Sequence, residues 1–269
     1  MPHFAILTIL LTVTVFAASA DFPLVTNNAT EYAIAVAPDA IPAETTATHE
    51  LQTFLAAACG VQLPIVAEQD AGAKCIVVGP GALFKAAFPE VDLAALGADG
   101  IALLTKDDRL YLAGGRPRGT LYAVYTFLEE QVGFRWWSAT ETYTPSRPDL
   151  AIPELHTLYI PALRYREAFY RGAFDGVFSV RCKCNGAHNG VPEEYGGHYS
   201  ILGWCHTFYQ FLPPSNYFAE HPEWYSELDG KRVSEGAQLC LTNEDMRKEF
   251  IRVVLERLRA QPNAGIISV

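Results

Sequence analysis

The chain has 269 residues, half of them apolar and 19% charged, with a formal net charge of −10 at pH 7. That composition is globular rather than disordered. The acidic balance speaks against nucleic acid and anionic membrane surfaces, both of which select basic faces.

Phe4 to Phe16 is a mostly apolar run, followed by Ala18-Ser19-Ala20 and Asp21. It matches a secretory h-region with a small-residue cleavage site and is too short to span a bilayer as a helix. Residues 1–20 are therefore expected to be a signal peptide, removed on export to the periplasm or beyond, with no stable membrane insertion left. Six cysteines in an exported chain suggest disulfides. Cys59 and Cys75 form a plausible pair, while Cys182, Cys184, Cys205 and Cys240 allow several connectivities. Asn28-Ala29-Thr30 is a glycosylation sequon.

After the leader, strand and helix alternate. Tyr32 to Ala37 predicts a strand. Ala43 to Cys59 predicts a helix, with Leu51, Phe54, Leu55 and Ala58 on one face and Gly60 as the residue that ends it. Cys75 to Val78 is a short buried strand. Gly100 to Thr105 and Leu110 to Ala113 flank Lys106-Asp107-Asp108-Arg109, a hairpin signature. Gly119 to Gln131 predicts a second helix, stopped by Gly133. The unit is α+β: a small sheet covered by two helices.

Ser138 to Pro161, punctuated by Pro145, Pro148, Pro153 and Pro161, is expected to be a partly extended linker. Leu163 to Tyr170 is a strand candidate, Phe174 to Arg181 a helix, and Asn185 to Arg232 a loop-rich insert. Gln238 to Leu241 predicts a buried strand. Thr242-x-x-Asp245 opens a helix through Met246, Phe250, Val254 and Leu258, and Gly265 to Val269 closes as a strand. Repeated strand–helix units suggest a parallel sheet or barrel. A (β/α)8 barrel takes about 250 residues and only about 110 follow the linker, so under half a barrel is expected.

Several residues invite chemistry. Arg166 and Glu167 sit on the candidate first strand, where a barrel carries its site, and Arg suits oxygen-rich ligands. Aromatics crowd Arg164 to Tyr225, among them Trp204, Tyr209, Phe211, Tyr217, Trp224 and Tyr225. They could offer platforms for sugar rings or simply hold the insert together. His206 could hydrogen-bond a substrate hydroxyl or sit satisfied in a core. Cys182-Lys183-Cys184, His188 and Cys205-His206 look like a ligand list, but the spacing is not the usual paired one and export favours disulfides. Neither metal nor cofactor is expected. Gly114 to Gly119 precedes a helix but lacks the phosphate-loop ending, so a tight turn is expected there. No spacing singles out a triad, and no carboxylate pair can be chosen; Glu193 and Glu194 are mere neighbours.

"GGRPRGTLYAVYTFLEEQVGFRWW" resembles the closing helix of the accessory domain that precedes the barrel in bacterial alpha-glucuronidases and beta-hexosaminidases. "YFAEHPEWYSELDGKR" and "QLCLTNEDMRKEF" resemble a bacterial family catalogued as a domain of unknown function, some members of which are endo-beta-N-acetylglucosaminidases. The resemblance implies a secreted glycoside hydrolase acting on glycans: residues 21–137 an accessory α+β domain, 138–161 a linker, 162–269 the first part of a (β/α)8 barrel, α/β overall. It implies that Arg166 binds sugar hydroxyls, with Asn243 and His206 as weaker candidates for the same rim; Trp204 is the substrate-binding candidate among the loop aromatics. The catalytic carboxylates would lie at or beyond the end of strand four, counted as "GIISV", so the chain would stop where they begin and be inactive alone. The rival expectation is a non-catalytic exported glycan-binding protein using the aromatic insert.

Overall fold

The computed structural model describes residues 21–262 and 264–269. The expected signal peptide lies outside them. The first half is built on a six-stranded sheet. In chain order its surroundings are β1 (Phe22–Val25), β2 (Ala33–Val36), α1 (Pro42–Cys59), β3 (Ile65–Ala67), β4 (Cys75–Val78), α2 (Ala82–Ala87), β5 (Ile101–Lys106), β6 (Arg109–Gly114) and α3 (Gly119–Phe127). Next come β7 (Arg135–Trp136), β8 (Thr142–Tyr143), β9 (Leu150–Ile152) and β10 (His156–Tyr159). The sheet order is β10-β5-β6-β4-β2-β3, with β3, β2, β4 and β6 parallel and the β5–β6 hairpin antiparallel.

Two-residue alternation sorts the side chains. Ile34, Ile76, Val78, Leu103, Leu110 and Leu112 pack beneath α1 and α3. Their neighbours Ala35, Val77, Ala102, Leu104, Tyr111 and Ala113 face the other side, with Phe84 and Phe88. The expected two helices thus cover one face, and short α2 with its flanking loop covers the second. Cys59 belongs to the first cluster and Cys75 to the second. The sheet lies between them, so the expected pairing gives way to two buried free thiols.

Pro42 opens α1, Glu44 accepts a hydrogen bond from the Ile41 amide at 3.0 Å, and Gly60 ends it at φ 70°. α3 is buried along its whole length and continues as a π-helical turn to Val132, where Gly133 stops it at φ 107°. The glycines before α3 serve a crossing of chains: a Cβ on Gly115 would lie 1.5 Å from the Gly97 carbonyl oxygen. The tight-turn reading of that motif holds.

The stretch from Ser138 to Pro161 is extended, as expected, but paired. β8 pairs with β7, β9 with β1, and β10 forms the edge of the main sheet beside β5.

The second half contains α4 (Gly176–Arg181), β11 (Ile201–Leu202), α5 (Phe208–Phe211), α6 (Pro214–Tyr217), β12 (Glu227–Leu228), β13 (Lys231–Arg232), α7 (Glu244–Ala260) and β14 (Ile266–Ile267). Two expected strands are corrected. Leu163 to Tyr170 forms no regular strand, and Gln238 to Leu241 contributes one isolated bridge, Leu239 to Tyr225, inside the insert. Backbone bonds nevertheless align four segments side by side. The Asn185 amide donates to the Arg166 carbonyl at 3.0 Å, the Tyr199 amide to the Asn185 carbonyl at 2.6 Å, and the Gly265 amide to the Ser200 carbonyl at 3.0 Å. β11 and β14 run parallel, Ile201 opposite Ile266. The segments around 166, 185, 201 and 266 are successive in chain and in space, as in the first part of a (β/α)8 barrel. "GIISV" stays fourth, while the third segment is Ile201–Leu202.

Phe211, Leu212, Trp224, Tyr225, Leu239, Met246 and Val253 form the insert's own core against α7. Most of the crowded aromatics are therefore packing.

Candidate functional site

In barrels the loops beyond the C-terminal strand ends build the site. Beyond the first three aligned segments stand Glu167, His188 and Trp204, and they meet. Glu167 Oε1 lies 2.9 Å from His188 Nδ1, and Oε2 accepts the His188 amide at 3.2 Å and the Tyr165 hydroxyl. The Glu167 side chain is only 6% exposed. Trp204 packs on the His188 ring with centroids 3.8 Å apart. Phe169 stacks on Trp204 at 6.1 Å and 22°, and meets Phe174 edge-on at 5.1 Å. These three aromatics remain exposed, Trp204 at 47%.

Local sequence explains the geometry. A Cβ on Gly186 would sit 2.4 Å from Glu167 Oε2, so glycine there leaves room for the carboxylate. Buried Asn189 stitches the two loops, donating to the Ala173 carbonyl at 2.7 Å and accepting from the Gly186 amide at 3.1 Å. Gly203, Cys205 and His206 all take positive φ, turning the chain sharply after β11. Thr207 then anchors that turn by donating to the Ser268 carbonyl at 3.0 Å.

Burial opposes ionisation of Glu167, but hydrogen bonds from Tyr165 and from the His188 amide and ring outweigh it and hold the carboxyl below its usual range. Burial, and then the bond to Glu167, push the Tyr165 phenol up to about 12. The carboxylate is therefore an anion and acceptor, and Tyr165 a neutral donor.

The residues expected at the rim are dispersed. Trp204 belongs to the cluster. His206 is exposed two residues further along the same turn. Asn243 caps α7, its side-chain oxygen accepting from the Met246 amide at 2.9 Å, one residue later than the expected Thr242 cap. Arg166 directs its guanidinium toward the first half of the chain, at Asp99. It reaches Asp99 at 3.1 Å and the carbonyls of Lys183 and Leu163, both at 2.8 Å. There it lines a cleft of about 420 Å³ with Tyr122, Thr126, Glu130 and Cys184. Glu167 was legible only as a neighbour of Arg166, and His188 only as a possible metal ligand. Among the described residues no group of three or more His, Cys, Asp or Glu side chains could hold a metal ion.

Residues 24–127 match the family described as Glycosyl hydrolase family 67 N-terminus, and residues 136–269 match Domain of unknown function (DUF4838). Each match covers less than half of the chain, one in its first half and one in its second. That agrees with the resemblance carried by the motifs around 114–137 and 217–250. No curated protein matches the chain. Among solved structures, it is similar to the family GH115 4-O-methyl-alpha-glucuronidase BtGH115A, described as specific for decorated arabinogalactans, at 14% identity and TM-score 0.54. That match covers 91% of this chain and 41% of the other. A second is the GH20 beta-N-acetylhexosaminidase of Streptomyces coelicolor A3(2), at 15% identity and TM-score 0.43, covering 93% of this chain and 57% of the other. The first likeness shows a shared fold; the second is too distant in shape to add to it. The chain spans less than half the length of the first structure and little more than half of the second.

Proposed function

We propose that the chain supplies the accessory domain and the first four barrel segments of an exported glycoside hydrolase acting on glycans. The observation that carries this reading is the Glu167–His188–Trp204 cluster at the C-terminal ends of successive segments, where barrel enzymes bind substrate. The glycosyl hydrolase match of residues 24–127 supports it. No helix among the described residues is long and apolar enough to cross a membrane.

In this reading the chain alone binds glycan without turning it over. General acid catalysis of glycosyl transfer needs a protonated carboxyl facing the leaving oxygen and a second carboxylate or an acetamido group on the sugar. Glu167 is an ionised acceptor with its oxygens already engaged, which suits positioning rather than proton donation. The test is an array of immobilised glycans together with hydrolysis of 4-nitrophenyl N-acetyl-β-glucosaminide and 4-nitrophenyl β-glucuronide. Binding without hydrolysis is expected; release of nitrophenol by this chain alone would overturn the division of labour, and absence of glycan binding would overturn the reading.

The exposure of Trp204, Phe169 and Phe174 on one rim also suits a second reading, a non-catalytic exported glycan-binding protein. The intact mass of the naturally exported product separates the two. A product carrying further carboxylates in a completed barrel supports the enzyme, and one without them supports the binder.

A further inference from the structure

The cluster leaves one polar ring atom without a partner. Glu167 is ionised and can only accept, so the proton of this contact sits on His188 Nδ1; in the uncharged tautomer that this leaves, Nε2 carries the lone pair. Among the described residues Nε2 takes part in no hydrogen bond, and the His188 side chain is 29% exposed. Beside it stands the half-exposed indole of Trp204, backed by Phe169. A flat apolar face next to a single acceptor matches a pyranose, whose C–H face stacks while its hydroxyls donate.

Charge narrows the ring's class. The anion at the cluster is Glu167, separated from Trp204 only by the His188 ring, and it disfavours a sugar carboxylate on that face. The nearest cation in sequence, Arg166, is tied to Asp99 and two carbonyls. We propose that His188 Nε2 and the exposed face of Trp204 form a subsite for an uncharged pyranose ring, with Glu167 as the positioning residue that orients the imidazole. The proposal rests on the glycan-acting reading above and adds to it the class of sugar and the residues that meet it.

The test is ligand-observed NMR titration of the full chain with methyl β-glucopyranoside, methyl N-acetyl-β-glucosaminide and methyl β-glucuronide. The uncharged glycosides bind in preference to the glucuronide. H188A and W204A each weaken them by about tenfold, the loss of one hydrogen bond or one stacked ring. Trp204 is exposed enough for W204A to fold, which keeps the test valid if H188A does not. E167Q lowers the fraction of His188 protonated on Nδ1, read from 15N spectra of the imidazole, and weakens binding with it. An unchanged tautomer in E167Q overturns the positioning role. Preference for the glucuronide, lost in W204A, overturns the sugar class but keeps the glycan reading. Sugar binding indifferent to both H188A and W204A overturns the subsite alone. If none of the three glycosides binds, the subsite and the glycan reading fall together.

Discussion

Glu167 is an anion held in a nearly closed place by donors from its own segment and the next. Its pKa is lower in the folded chain than in the unfolded one, so it contributes stability above the unfolded value of about 4.3 and loses it as pH falls through the folded value. E167Q should therefore melt earlier than the parent at pH 7, and the gap should close in acid below the carboxylate range. Melting curves of both proteins across that range check this; a gap that is constant with pH would mean the carboxylate's charge is irrelevant. The composition of the loops pointed to Trp204, but it pointed equally to Trp224 and Tyr225, which are 7% and 0% exposed. What separates them is tertiary: the latter two pack against α7 and the Leu239 bridge. Residue type alone does not carry that distinction, nor the pairing of Glu167 with a histidine 21 positions away.

Among the elements, α1, α3 and α7 were legible because each is long enough for an apolar stripe to repeat and each carries its own end signals. Of the barrel segments only the fourth was, as the apolar run at Ile266-Ile267. β11 and β14 are two residues each, and the segments at 166 and 185 are recognisable only by the amides and carbonyls of their neighbours. A period of two needs more residues than that to show itself. Capping is a test at this scale. Asn243 is the side chain that accepts from the first turn of α7, so N243A should cost about 1 kcal/mol in denaturant unfolding, whereas Thr242→Ala should cost little. The reverse order would restore the cap to Thr242. β9 and β10 supply a second. Because they pair with β1 and β5, a chain ending at 161 should unfold more cooperatively and at higher denaturant than one ending at 137. Equal midpoints would mean that the 138–161 stretch behaves as a free linker.

At the scale of the whole molecule, the first and second halves of the chain are locked through Asp99. Its Oδ1 accepts from Arg118 at 2.6 Å within the first half. Its Oδ2 accepts from Arg166 at 3.1 Å and from Asn185 at 2.7 Å, the residues at which the first two barrel segments align. Asp99, Arg118 and Asn185 are all buried. The same junction carries Arg181 on Glu50 at 2.9 Å and the Tyr122 hydroxyl on the Cys184 carbonyl at 3.0 Å, while Val180 and Val191 enter the main apolar cluster. One carboxylate thus fixes the spacing of the segments that end in Glu167 and His188. Removing it leaves the Arg118 guanidinium buried without its counter-charge, a change that costs about 3–5 kcal/mol in such settings. D99A should therefore lower global stability by that order. Its distinctive effect should be local: amide hydrogen exchange should quicken at 164–168 and 184–188 before it quickens in β2, β4 and β6, which keep their own pairings. Exchange that quickens evenly over both halves would mean that Asp99 stabilises the molecule without setting the register of the site.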